Sequence, residues 1–159
     1  MHLVYDFKMT HYEYNQFKND IPALGKLCES FNPDTIVAVA RGGMTLAHAL
    51  AMALDVRNLQ SIRTESYDGE SQRSTITITG ECDFSHSKRV LIVDDIVDTG
   101  KTLQTLLPVL QANHPAVLFN TVALFTKSSA LIQPDFSLYE ATDWIEFFWE
   151  SNFLKSNLL

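Results

Sequence analysis

The sequence predicts an α/β domain built on a parallel sheet, and three observations carry that expectation. Apolar runs rich in Val and Ile recur as PDTIVAVA (33–40), VLIV (90–93) and within AVLFNTVALF (116–125). Each is continuous rather than alternating, as in strands covered on both faces. Segments of helical spacing lie between them, and a polar cluster follows every run: Arg41-Gly42-Gly43, then Asp94-Asp95 with Thr99-Gly100-Lys101-Thr102, then Thr126-Lys127. Parallel strands joined by right-handed crossovers bind ligands beyond their carboxyl ends, so the three clusters are expected to converge on one edge.

Taken in order, residues 11–31 (HYEYNQFKNDIPALGKLCESF) read as a helix interrupted near Pro22, which removes an amide donor and crowds the preceding turn. After the first strand, MTLAHALAMAL (44–54) is apolar nearly all round and reads as a deeply packed helix. RTESYDGESQRS (63–74) is polar and suits an exposed loop or a lid over a site. Leu103, Leu106, Leu107 and Leu110 recur along one helical face, with Pro108 expected to kink or shorten that helix. DWIEFFWESNFL (143–154) is crowded with aromatics, which suits core or subunit interface and leaves one ring to stack on a planar base.

At 159 residues and 46% hydrophobic, the chain suits one domain with a sizeable core. It has no apolar run of about 18 residues, and MHLVYDFKMTHYEY lacks the basic-then-apolar layout of an export signal. A cytoplasmic protein is expected. Cys28 and Cys82 lie far apart without a C-x-x-C pair, so they read as unpaired thiols rather than zinc ligands. With 19 acids against 12 bases, the formal charge of −7 repels nucleic acid. An anionic ligand would therefore need helix amino termini, placed Arg or Lys side chains, or a divalent cation.

The stretch VLIVDDIVDTGKTLQTLL (90–107) sets three carboxylates beside a turn that looks built to hold an anion. Thr99 to Thr102 precede a helix, whose first amides lack partners and can face a phosphate. A cap supplied by Asp98 or Thr99 explains the same turn. A nucleotide-triphosphatase loop does not, because its first glycine would fall on Asp95. Asp94 and Asp95 end an apolar strand, where carboxylates are costly to desolvate unless hydrogen-bonded, paired or near a metal. A sugar diol and magnesium would both satisfy them, so the cluster suits one ligand with a 5-phosphate, a ribose diol and metal-bound phosphates. Arg41-Gly42-Gly43 suits an anion or simply a tight strand-to-helix turn, and Lys127 suits a ligand or a snorkelling lysine at a strand end.

The chain resembles the type I phosphoribosyltransferases, and within them the 6-oxopurine branch of xanthine-guanine and hypoxanthine-guanine enzymes. VLIVDDIVDTGKT is similar to the phosphoribosyl pyrophosphate motif of that family, and VARGG and ESYDGESQR before it and LFTK and DWIEFFWE after it keep the family's order over most of 35–150. The resemblance implies a Rossmann-like parallel sheet flanked by helices, with a small hood from the chain ends; 128–159 and part of 1–30 would form or cover it. It implies that Asp94 and Asp95 hold the ribose hydroxyls, with Asp95 also near Mg2+. Asp98, Thr99, Gly100, Lys101 and Thr102 would cradle the 5-phosphate, and Arg41 and Gly42 would meet the pyrophosphate. Ser66, Tyr67 and Arg73 would close over it. Lys127 would donate to the 6-oxo group, Trp144 would stack on the base, and the backbone of Ile145 would meet its 2-substituent. Asp98 would manage a proton at N7, the catalytic role.

The function so implied is magnesium-dependent transfer of phosphoribosyl to a 6-oxopurine in purine salvage, by a homodimer or homotetramer. Two departures stand out: Glu150 sits where the branch tends to place an aspartate near a second metal, and Phe147-Phe148 replaces more polar residues of the bacterial xanthine-guanine enzymes. One rival is a non-catalytic sensor of phosphoribosyl pyrophosphate, for which a missing base-binding tryptophan or a basic surface would speak. The other is a transferase for another base such as orotate or adenine, which Lys127 and Trp144-Ile145 oppose.

Overall fold

The computed structural model describes residues 8–67, 75–151 and 153, with Tyr67 described in its backbone only. The elements run β1 (Met9–Tyr12), α1 (Tyr14–Cys28), a 3-10 turn (Glu29–Phe31), β2 (Thr35–Ala40), α2 (Met44–Ala53), β3 (Asn58–Tyr67), β4 (Thr75–Thr79) and β5 (Arg89–Val97). They continue with α3 (Lys101–Asn113), β6 (Leu118–Thr126), β7 (Phe136–Glu140), β8 (Trp144–Phe147) and α4 (Phe148–Ser151).

Six strands form one sheet in the order β4-β3-β2-β5-β6-β7. All neighbours are parallel except β4, which pairs antiparallel with β3 at the edge. Alternate residues of the apolar runs feed two cores, as the two-residue period of a strand requires. Ile36, Ala38, Leu91, Val93, Val122 and Leu124 pack with Leu24 of α1 and Leu46 and Leu50 of α2. Val37, Val39, Val90 and Ile92 face the other way, against Leu103, Leu106 and Leu110 of α3.

Neither proline breaks its helix. Pro22 lies within α1 and Pro108 within α3, and both helices run through. Each proline and the residue four positions earlier, Lys18 and Gln104, are exposed, so the lost amide partner falls on the solvent side of each helix rather than in the core. α2 is less enclosed than its composition suggests, since Met52 is 72% exposed. Residues 63–67 belong to strand β3 rather than to a loop; the rest of the suspected lid, 68–74 with Arg73, lies outside the described residues.

Among the described residues, β1 and β8 form a second sheet, in parallel. It pairs a strand early in the chain with one late in it, while β7, also from the carboxyl-terminal segment, belongs to the large sheet. No described helix is long and apolar enough to cross a membrane. Cys28 and Cys82 are free, and burial pushes the Cys28 thiol up to about 12.

Candidate active site

The chain order of the large sheet reverses between β2 and β5, the point at which open α/β sheets leave a crevice at their carboxyl ends. A cleft of about 310 Å³ opens there, lined by Gly42 after β2, Asp94, Asp95 and Asp98 from β5 and beyond, Lys127 after β6, and Trp144 and Ile145 of β8. The convergence expected from the three polar clusters is therefore observed.

β5 runs on past VLIV to Val97, so Asp94 and Asp95 lie within the strand. Asp95 is only 7% exposed. Its Oδ1 accepts the amide of Ile96 at 2.7 Å, while Asp94 Oδ1 accepts the amide of Asp95 at 2.9 Å. Burial lifts the Asp95 carboxyl to about 6, against the pull of the Ile96 amide and with a further push from the charge of Glu150. Asp94 is raised as well, by burial and then by the neighbouring Asp95 charge. Gly42 lets the backbone pass close to this pair: a Cβ there would sit 2.5 Å from Asp95 Oδ2.

The turn before α3 follows. Gly100 is the amino-terminal cap of α3, with φ of 80° and no side-chain capping bond. A Cβ on it would lie 2.8 Å from the amide nitrogen of Ile132 and 3.0 Å from that of Leu131, so the site needs glycine twice over. The Leu131 amide donates to the Thr99 carbonyl at 2.9 Å, bracing the turn against the segment beyond β6. Asp98 does not cap the helix; its Oδ1 lies 2.6 Å from Lys127 Nζ. Thr99 Oγ1 accepts only a long bond, 3.3 Å, from the Lys101 amide. Beside the turn is a notch of about 90 Å³ lined by Asp94, Asp98, Thr99, Gly100 and Thr102, while Lys101 opens the helix next to it.

The remaining candidates divide. Trp144 is 59% exposed, open to a planar partner, and Ile145 beside it is buried. Arg41 follows a cis peptide from Ala40 and borders an adjoining cleft of about 710 Å³ together with Gly42, Trp144 and Glu150. Ser66 is exposed on β3, opposite Ile76, and lines none of these three clefts. Thr64 and Asp143 also line the central cleft. β3 lacks the continuous apolar run that marks β2, β5 and β6, which hid Thr64; Asp143 stands out in the sequence only as the neighbour of Trp144. Among the described residues, no three His, Cys, Asp or Glu side chains are arranged to hold a metal by themselves.

The family described as the phosphoribosyl transferase domain matches residues 21–154. A xanthine-guanine phosphoribosyltransferase of Cereibacter sphaeroides is 30% identical over 149 residues, covering 88% of this chain and 86% of that one. Among solved structures, the xanthine-guanine-hypoxanthine phosphoribosyltransferase of Helicobacter pylori superposes with a TM-score of 0.85 at 38% identity, over 91% of this chain and 96% of that one. A purine phosphoribosyltransferase of Pyrococcus horikoshii gives a TM-score of 0.77 at 31% identity, over 89% and 93%. The family match spans most of the chain, and relatives of that family agree with it in sequence and in fold, so the chain belongs to the phosphoribosyltransferase family.

Proposed function

We propose that the protein transfers the phosphoribosyl group of 5-phosphoribosyl 1-pyrophosphate to N9 of a 6-oxopurine, releasing pyrophosphate and a nucleoside monophosphate for purine salvage. The observation that carries this assignment is the Asp98–Lys127 pair at the cleft. A carboxylate and an ammonium side by side present an acceptor and a donor, which suit N7–H and the 6-oxo oxygen on one edge of the base. Adenine offers an amino group where Lys127 needs an acceptor, and a mismatch of that kind leaves a charged donor unpaired.

The notch at the start of α3 would take the 5-phosphate on the amides of Gly100 to Thr102, where the helix dipole also favours an anion. Asp94 and Asp95 would accept the ribose hydroxyls. The pair forms no ion pair with a basic side chain of the described residues, and burial raises both carboxyls, so their charged forms would gain from a nearby cation. That fits Mg2+, which needs few protein oxygens when phosphates and water complete its shell; Asp95 is the residue proposed to hold it. Bound there, the ion would neutralise charge on the leaving pyrophosphate.

Displacement at C1 of the ribose passes through an oxocarbenium-like state, so the protein's share is placement and charge. The phosphate turn and the acid pair fix the sugar, Arg41 meets the departing pyrophosphate, and Trp144 and Ile145 hold the base in line. Asp98 takes the proton that N7 gives up as N9 bonds to carbon. A cytoplasmic homodimer or homotetramer is part of the same proposal.

Steady-state assays with guanine, xanthine, hypoxanthine and adenine, each with phosphoribosyl pyrophosphate and Mg2+, test it. At least one 6-oxopurine is expected to outperform adenine by about 100-fold or more in kcat/KM. Comparable turnover of adenine, or none with any purine, would overturn the assignment.

A further inference from the structure

β8, which carries Trp144 and Ile145, makes no ladder with the large sheet. Among the described residues its strand partner is β1 alone, in the register Met9↔Trp144, Thr10↔Ile145, His11↔Glu146 and Tyr12↔Phe147. A two-stranded ribbon has little stability of its own. Where Trp144 stands relative to Lys127 and Asp98, both held by the large sheet, therefore depends on what anchors the ribbon.

Tyr12 is the anchor on the ribbon side. It is 1% exposed, and its ring meets Phe125 of β6, Phe147 of β8 and Trp149 of α4 edge-on, with centroids 5.4, 5.8 and 6.2 Å away. Its hydroxyl donates to Asp20 Oδ2 of α1 at 2.7 Å. The other oxygen of the same carboxylate accepts the hydroxyl of Tyr139, on β7 of the large sheet, also at 2.7 Å. Both contacts have the short length of charge-assisted O–H···O⁻ bonds. Asp20 is 9% exposed, and with both oxygens occupied by phenols it is satisfied only while ribbon and sheet keep this relation. Tyr12 and Asp20 both precede residue 21, where the match to the family begins.

We infer that Asp20 is a positioning residue for the purine: by accepting one phenol from β1 and one from β7, it locks the base-binding ribbon to the sheet that carries Lys127, Asp98 and the phosphate turn. The inference rests on the function proposed above. It predicts a one-sided defect, because the phosphate turn and the acid pair belong to the large sheet and do not pass through the clamp. Loosening the clamp displaces the platform under the base and leaves the phosphoribosyl half in place.

The test measures separate KM values for a 6-oxopurine and for phosphoribosyl pyrophosphate, with kcat and melting temperature, in the wild type and in Asp20→Asn, Tyr12→Phe and Tyr139→Phe. Asp20→Asn and Tyr12→Phe are expected to raise the purine KM about tenfold, the size of one lost hydrogen bond to a charged group. The KM for phosphoribosyl pyrophosphate and kcat at saturating purine should stay within about twofold. Tyr139→Phe should show the same bias, more weakly, and carries the test by itself if the more buried substitutions do not fold. An unchanged purine KM, or both KM values and kcat moving together, would overturn the clamp while the proposed function stands. A wild-type protein inactive on every 6-oxopurine would overturn both.

Discussion

Lys127 Nζ lies 2.6 Å from Asp98 Oδ1, joining the end of β6 to the start of the turn before α3 beside the central cleft. The side chains are 35% and 48% exposed, so the pair adds little to stability, on the order of 1 kcal/mol or less. Under the proposed function, its importance would lie in what it presents to a base. Asp98→Asn keeps the shape and removes the proton acceptor; kcat should fall about 100-fold with the melting temperature nearly unchanged. Rapid-quench assay of nucleotide formation checks this, and full turnover would refute the proton role without touching the fold.

Lys127→Met keeps the aliphatic stem and removes the donor proposed for the 6-oxo oxygen. The kcat/KM ratio of hypoxanthine to adenine should then fall by about tenfold or more, mostly through loss of the oxopurine. Competition assays with the two bases measure that ratio directly.

At Gly100 a positive φ and the nearby Leu131 and Ile132 amides both exclude a side chain. Gly100→Ala is expected to lower stability by about 1–3 kcal/mol and to raise the KM for phosphoribosyl pyrophosphate more than that for purine. Gly42→Ala should act on the same substrate by another route, since its methyl would strike the Asp95 carboxylate. Thermal melts and paired KM measurements separate the two, with Gly42→Ala giving the larger effect on Mg2+ dependence.

Acidity should move stability and binding in opposite directions. The folded Asp95 carboxyl titrates near 6, and Asp94 is raised too, whereas an unfolded aspartate titrates near about 3.9. Between those values the folded state holds more protons than the unfolded one, so these groups favour folding more at pH 5 than at pH 7. The melting temperature of wild type relative to Asp95→Asn should therefore rise as pH is lowered from 7 to 5 without ligand. Over the same range, apparent affinity for Mg2+ with phosphoribosyl pyrophosphate should weaken, because protons compete for the same carboxylates. Melting curves and titration calorimetry at matched pH check the two signs.

The amino-acid pattern alone determined the α/β class, three strands of the sheet, helices α2 and α3, and the gathering of Gly42, Asp94, Asp95, Asp98 and Lys127 at one edge. Continuous apolar runs and the polar residues that end them are local signals, and parallel connectivity turns those ends to the same side. β3, β4, β7 and the β1–β8 ribbon left no comparable mark. β3 is half exposed along much of its length and β1 and β8 are four residues each, so their strand character comes from partners far away in the chain. Tertiary structure likewise decided that Pro22 and Pro108 sit on wet helix faces, that Asp98 faces Lys127 instead of capping α3, and that Asp20 joins Tyr12 to Tyr139. Each of these depends on which surface meets solvent or on contacts between distant segments, and spacing along the chain carries neither.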